Sequence, residues 1–272
     1  MIARPGRAVC IAVLLASVAG CASHGSPAAA PPSSPSSAPA PSVSPADSRT
    51  PLQILTAGIP TGTSVAYRFS IADVGGPTYG VIDPATKTAE YDVVSDTHQP
   101  DNPKYTMTLK VLRIGKKAWA QVVLKPNNIA GLSYIPRRWM VLAPKKIAGG
   151  LPNGYQKDSD PAYAGDIFAH ATYVRQTSPG HFEGIADITD SGNDIMGDAW
   201  IEDLGDTATV LPFTATLDAQ GRLTTVSVAL PASLKFPAFT YKFVYQYTSV
   251  KVPTAPTVTT KAIPEVYQWI GY

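Results

Sequence analysis

From Val65 to Val250 apolar side chains recur at every second position, segment after segment. A period of two is a strand signal, because successive side chains of an extended chain point to opposite faces. Val65, Tyr67, Phe69 and Ile71 alternate with Ala66, Arg68, Ser70 and Ala72. Residues 78–82 and 88–94 flank the turn Asp83-Pro84-Ala85-Thr86, which predicts a hairpin. Tyr105, Met107, Leu109 and Val111 oppose Thr106, Thr108 and Lys110 before Gly115-Lys116 turns the chain into 119–124. Further strands are expected at 135–142, where Pro136 marks an edge or bulge, and at 182–188, 207–217, 222–230 and 239–250. Two stretches read as helices. Thr50-Pro51 opens one that carries Leu52, Ile54 and Leu55 before Gly58. The other is 160–172, capped by Asp160, opened by Pro161 and apolar at Tyr163, Ile167, Phe168 and Ala171. About ten antiparallel strands with two helices make the expected class α+β rather than a doubly wound sheet.

The N-terminus reads as an address. Arg4 and Arg7 precede a mostly apolar run, 8–19, which as a helix spans about 18 Å against a hydrocarbon core of ~30 Å, too short to cross. This is the pattern of a secretory signal, expected over 1–20. Val18-Ala19-Gly20-Cys21 resembles the lipobox of bacterial lipoproteins, in which the last residue takes a diacylglyceryl group; the alternative is an ordinary signal peptide with a chance Cys. Lipidation at Cys21 implies a protein held at the outer face of the cytoplasmic membrane without crossing it. Cys10 and Cys21 are the only cysteines, so the chain beyond them has no disulfide, thiol nucleophile or thiolate-bound metal. Residues 21–49, rich in Pro, Ser and Ala, cannot bury enough apolar surface to offset their ordering and read as a disordered tether. The expected single domain is then 50–272.

Residues 239–250 carry the clearest side-chain signal. Phe239, Tyr241, Phe243, Tyr245 and Tyr247 share one face while Lys242, Gln246 and Thr248 take the other. They are either a packed core strand or, with Tyr67, Phe69 and Phe168, the wall of a ligand cavity. The order of lipobox, tether, short helix, strand meander, mid-chain helix and closing strands resembles the actinobacterial envelope lipoproteins of the LppX/LprG kind, whose fold is LolA-like. The resemblance also rests on Leu217-Asp218-Ala219-Gln220-Gly221-Arg222-Leu223, on Tyr241-Lys242-Phe243-Val244-Tyr245 and on Arg138-Trp139-Met140-Val141-Leu142. It implies a strongly curved antiparallel half-barrel with helices over its concave face, and non-catalytic binding or carriage of acyl-chain lipids or glycolipids. The chain departs from that family in its Asp-rich stretch 189–206 and its Pro-rich tail from Pro253.

Enzyme signatures are absent from the sequence: there is no Gly-x-Ser-x-Gly elbow, phosphate-cradling loop or His-Glu-x-x-His. His170 and His181 are two of the four histidines, and without a third ligand they do not define a zinc site. Asp187, Asp190, Asp194, Asp198, Glu202, Asp203 and Asp206 lack EF-hand spacing and read as a solvated loop or a cation site. No catalytic residue, metal or cofactor is therefore assigned. The expected partners are the membrane, through the anchor, a lipid or glycolipid and an envelope transport protein of unknown kind, with no nucleic acid; the chain is expected to be a monomer. The remaining readings are a tethered interaction module with a filled core and a carboxylate-dependent hydrolase.

Charge is distributed in blocks. Between residues 102 and 157 there are eleven basic residues and no acid, whereas 176–221 holds nine acids and no Lys or Arg. Either the blocks compensate within the sheet, or they polarise the domain toward anionic headgroups. An extended 135–142 puts one of Arg137 and Arg138 on the inner face, where an anionic headgroup is a suitable partner.

Overall fold

The computed structural model describes residues 48–61, 65–73, 75–97, 104–147, 160–189 and 198–270. They fall within one unit, Asp47–Tyr272. The signal segment, Cys21 and the tether as far as residue 47 lie outside the described residues. The first helix, α1 (Pro51–Gly58), begins where its residues predict. Thr50 Oγ1 accepts from the Gln53 N–H at 3.2 Å while Gln53 Oε1 accepts from the Thr50 N–H at 2.8 Å, so two orphan donors are satisfied reciprocally.

The strands are β1 (Tyr67–Ala72), β2 (Thr78–Asp83), β3 (Thr88–Thr97), β4 (Tyr105–Ile114), β5 (Lys117–Lys125), β6 (Trp139–Val141), β7 (Ala171–Ser178), β8 (His181–Ala186), β9 (Leu211–Leu217), β10 (Leu223–Leu230), β11 (Phe239–Gln246) and β12 (Thr259–Lys261). Three more helices are α2 (Ala164–Ala169), α3 (Asp198–Leu204) and α4 (Pro264–Trp269). All twelve strands join one sheet in the order β12-β6-β5-β4-β3-β2-β1-β11-β10-β9-β8-β7. Every neighbouring pair is antiparallel except β12 with β6. The fold is α+β with a large, mostly antiparallel sheet. Two meanders meet at its middle, where β1 pairs with β11, and each runs outward to its own edge.

Local chemistry accounts for the hairpins. Asp83 accepts from the Ala85 N–H and the Thr86 hydroxyl, holding the β2–β3 turn. Asp218 accepts from the N–H groups of Gln220 and Arg222 and from Arg222 Nε at 2.8 Å, while Gly221 takes φ 76°.

Three elements depart from expectation. The stretch expected to be extended over 135–142 forms only the three-residue β6. The expected helix 160–172 shrinks to α2: Tyr163 stands at the N-cap with φ 56°, and Asp160, three residues earlier, lies outside the helix while its carboxylate accepts from the Gly165 N–H. Beyond His170 the chain becomes β7, an edge strand whose side chains are mostly exposed. Exposure of both faces explains why β7 shows no apolar alternation. The tail from Pro253 adds β12 and α4.

The core lies on one sheet face. Met140, Ala120, Val111, Tyr91, Gly80, Phe69 and Tyr245 are successive partners across β6, β5, β4, β3, β2, β1 and β11, so they point to the same side. One cluster joins β1, β8, β9, β10 and β11 with Leu55 of α1, Ile167 and Phe168 of α2, and Trp200 of α3. A second covers β4–β6 beneath Val266 and Tyr267 of α4. In the first, two rings lie over glycines. A Cβ at Gly80 would sit 2.2 Å from Phe69 Cε1, and one at Gly184 would sit 2.4 Å from Phe213 Cζ. At both positions the missing side chain is what lets the ring lie on the strand.

Candidate functional site

The aromatic candidates do converge. Phe69 pairs with Tyr245 and Ile71 with Phe243 across β1 and β11, which stacks Tyr67, Phe69, Tyr241, Phe243 and Tyr245 on the core face. Ring centroids lie 6.1 Å apart for Tyr67–Tyr245, 6.1 Å for Tyr67–Tyr247, 5.4 Å for Phe69–Tyr91, 4.9 Å for Tyr241–Phe243 and 5.8 Å for Phe168–Phe213. Tyr67, Phe168, Phe243 and Tyr245 have 2 % or less of their surface exposed. Phe239 and Tyr247 pack half-buried against the same cluster. These side chains fill space against one another.

One carboxylate enters this cluster. Asp160 accepts from the Ala162 N–H at 3.1 Å, the Gly165 N–H at 2.7 Å and the Tyr245 hydroxyl at 3.1 Å. Burial pushes its carboxyl above the usual range, and those hydrogen bonds oppose the shift. Burial likewise raises the phenols of Tyr67, Tyr241, Tyr245 and Tyr247, so they stay protonated as donors. Tyr247 donates to the Leu223 carbonyl at 2.7 Å, with Arg222 4.2 Å over its ring. The Tyr67 hydroxyl is buried without a hydrogen-bond partner.

The depressions of the surface lie elsewhere. One of about 330 Å³ sits on the opposite sheet face among Arg68, Ser70, Tyr79, Glu90, Asp92 and Gln246. Another, of about 420 Å³, runs beneath Tyr173 over Ile185, Pro212, Thr214 and Ala229. None of the wall candidates except Phe69 borders either. The polar residues of the first depression were not among the expected site residues. Their only sequence signal is that they occupy positions of β1, β2, β3 and β11 that alternate with the core-facing ones.

Arg137 and Arg138 do not divide between two faces as a continuous strand would require: both precede β6 and both are exposed. Arg137 Nη2 donates to the Asn127 carbonyl at 3.2 Å and to Asn128 Oδ1 at 3.0 Å. Neither of these two arginines lies on an inner face beside a buried headgroup position. His170 and His181 stand near opposite ends of the β7–β8 hairpin, where Ala171 pairs with Ala186 and Ser178 with His181, so they share no site. His170 Nδ1 lies 2.9 Å from the Asp166 carbonyl oxygen at the end of α2. Among the described residues no three His, Cys, Asp or Glu side chains converge as a metal site would require. Asp190 and Asp194 lie outside the described residues. Asp187 accepts from the N–H and hydroxyl of Thr189, and Asp203 accepts from the Lys235 N–H at 2.9 Å.

The charge blocks are far apart in the sheet. Most of the described basic block lies on β4, β5, β6 and their connections, with Lys116, Lys117, Lys125, Arg137, Arg138, Lys145 and Lys146 all exposed. Lys261 on β12 extends it. The acids belong to β8, α3 and the connections to β9 and β10. Between β4 and β9 stand β3, β2, β1, β11 and β10. At about 4.8 Å per strand this is roughly 29 Å along the sheet, several times the screening length of about 8 Å at physiological salt. The blocks do not neighbour each other in the sheet.

Among the described residues no helix is long and apolar enough to cross a membrane. No family model matches the chain, and neither does any curated protein or solved structure.

Proposed function

We propose that this protein is a lipid-anchored, non-catalytic module at the outer face of the cytoplasmic membrane, whose filled core supports a basic end that rests on anionic headgroups. The observation that carries this reading is the segregation of charge along the strand order, with β4, β5, β6 and β12 at one end and the acids at the other. Each Lys or Arg near an anionic surface contributes about 1 kcal/mol, so four exposed lysines together outweigh thermal energy several-fold. The anchor at Cys21 and the tether to residue 49 would keep that end within reach of the bilayer, with the acidic end repelled from it. Sedimentation with vesicles tests this. Phosphatidylglycerol-containing vesicles are expected to bind the protein at least tenfold more tightly than phosphatidylcholine vesicles, and raised salt should abolish the difference. Reversal of Lys116, Lys117, Lys145 and Lys146 to Glu should abolish it too. Equal binding to both vesicle types, or binding unaffected by the reversal, would refute the reading.

A second reading keeps the half-barrel with helices over its concave face as a carrier of acyl-chain lipids or glycolipids. What favours it is the packing of α1 and α2 on the aromatic side of β1 and β11, together with the buried Tyr67 hydroxyl that lacks a partner. Separating those helices from the sheet would open an apolar space beside a polar group. Native mass spectrometry of the protein purified from an actinobacterial host decides it: a co-purifying lipid supports carriage, and a bare protein mass argues for the filled module.

A further inference from the structure

The face opposite the core carries a polar patch that neither the anchor nor the basic end explains. On it, Ser70, Tyr79, Asp92 and Lys110 are successive partners across β1, β2, β3 and β4, and beside them Arg68, Val81, Glu90 and Leu112 form a parallel row. Val244 and Gln246 of β11 complete both rows. The side chains leave a depression of about 330 Å³, at the small end of ligand sites. Tyr79 is 49 % exposed, its ring offered to solvent at the edge of that depression.

The polar groups there are arranged for a partner that both donates and accepts. Lys110 Nζ donates to Asp92 Oδ2, but Asp92 Oδ1 is buried with no hydrogen-bond partner. That oxygen has no surface to offer a ligand, so the acceptor left to the depression is the neighbouring Glu90 carboxylate. Its carboxyl is pushed up by burial and by Asp92 and drawn back by Lys110. Arg68 and Gln246 supply donors across the depression from this acceptor.

Charge decides among ligand classes. Arg68 and Lys110 balance Glu90 and Asp92, so an anion such as phosphate meets two carboxylates and a cation meets two bases. A neutral polyhydroxyl ring meets neither penalty. Its hydroxyls would donate to Glu90 and accept from Arg68 and Gln246, and its apolar face would lie on the Tyr79 ring.

We propose that this patch is a saccharide-binding subsite for one or two neutral sugar rings, with Tyr79 as the stacking platform and Glu90 as the principal hydroxyl acceptor. The depression is not lined by Lys116, Lys117, Lys145 or Lys146, and the site does not depend on the acyl-lipid reading. Titration of the full protein with maltose, cellobiose and chitobiose, followed by saturation-transfer and side-chain NMR, tests it. At least one disaccharide is expected to bind in the millimolar range and to shift the Tyr79 ring signals. Tyr79→Ala and Glu90→Ala should each weaken binding at least tenfold, and because Tyr79 is exposed the first variant should leave folding intact. The proposal is overturned if none of the three sugars perturbs Tyr79, if Tyr79→Ala binds as tightly as the unaltered protein, or if inorganic phosphate binds the patch more tightly than any sugar.

Discussion

Gly80→Ala isolates the packing that lets the aromatic core lie on β2. In an ordinary strand the change would help, since Gly is destabilising by roughly 0.5–1 kcal/mol relative to Ala. Here the new Cβ would stand 2.2 Å from both Phe69 Cε1 and Cζ and 2.6 Å from the Glu90 carbonyl oxygen. Phe69 is 3 % exposed and held against Tyr91, so its ring has nowhere to retreat. Overpacking of this kind costs about 1–3 kcal/mol, and with both a ring and a β3 carbonyl oxygen in the way Gly80 stands near the middle of that range. The expected loss of about 2 kcal/mol corresponds to a fall in Tm of roughly 4–8 °C for a domain of this size. A double-mutant cycle with Phe69→Ala separates the ring from the backbone. Phe69→Ala alone should cost about 3–5 kcal/mol, but in its background Gly80→Ala should cost less than about 1 kcal/mol, giving a coupling of at least about 1 kcal/mol. Urea unfolding followed by tryptophan fluorescence measures all four corners. If Gly80→Ala stabilises the protein, or if the two changes add to within about 0.5 kcal/mol, the aromatic-on-glycine account is wrong.

Asp160 gives a pH prediction. Its carboxyl is held above the usual range by burial, so the folded chain binds that proton more tightly than the unfolded one, whose value is about 3.9. The stabilisation is complete below that value and is lost as pH rises through the higher folded value. Unfolding free energies measured between pH 4 and 8 should therefore decline less steeply in Asp160→Asn; an unchanged slope would exclude Asp160 as the source. Asp218 works in the other direction: burial raises its carboxyl, but hydrogen bonds from Arg222 and Gln220 hold it below the usual range. Asp218→Ala should cost about 1 kcal/mol at neutral pH, and that difference should vanish as acidification protonates the wild-type carboxylate. At the start of α1, Thr50→Ala should cost about 1 kcal/mol and Thr50→Ser only a few tenths, with faster amide exchange over Pro51–Gly58 as the local readout.

Much of the local structure was legible because its causes are local. Thr50, Pro51 and Gln53 start α1 by contacts within four residues. Asp83 and Asp218 close their hairpins with their own neighbours. The alternation of β1 and β11 states which side chains share a face, and Phe69, Phe243 and Tyr245 are buried accordingly. Where tertiary context overrode the pattern, the reading failed. Ile167, Phe168 and Ala171 have helical spacing, yet Ala171 starts β7 because β8 offers that backbone a partner. Ile135 and Met140 both lie in the second core cluster, but only 139–141 reach the edge of β5, so Arg137 and Arg138 stay outside any strand. The polar patch around Asp92 was illegible for a related reason: its members come from β1, β2, β3, β4 and β11 and meet only through register.

By itself, then, the chain's sequence determined an α+β class, the hairpin turns, the faces of the aromatic strands and the existence of two charge blocks. Whether those blocks cancel or stand apart was decided by strand order. Side-chain periodicity reports only the direction in which each residue points from its own backbone. Which strand lies beside which depends on pairings such as Arg68 with Gln246, between residues far apart in the chain. That one junction of β1 with β11 puts five strands between β4 and β9, and so turns a nearly neutral chain into a polarised domain.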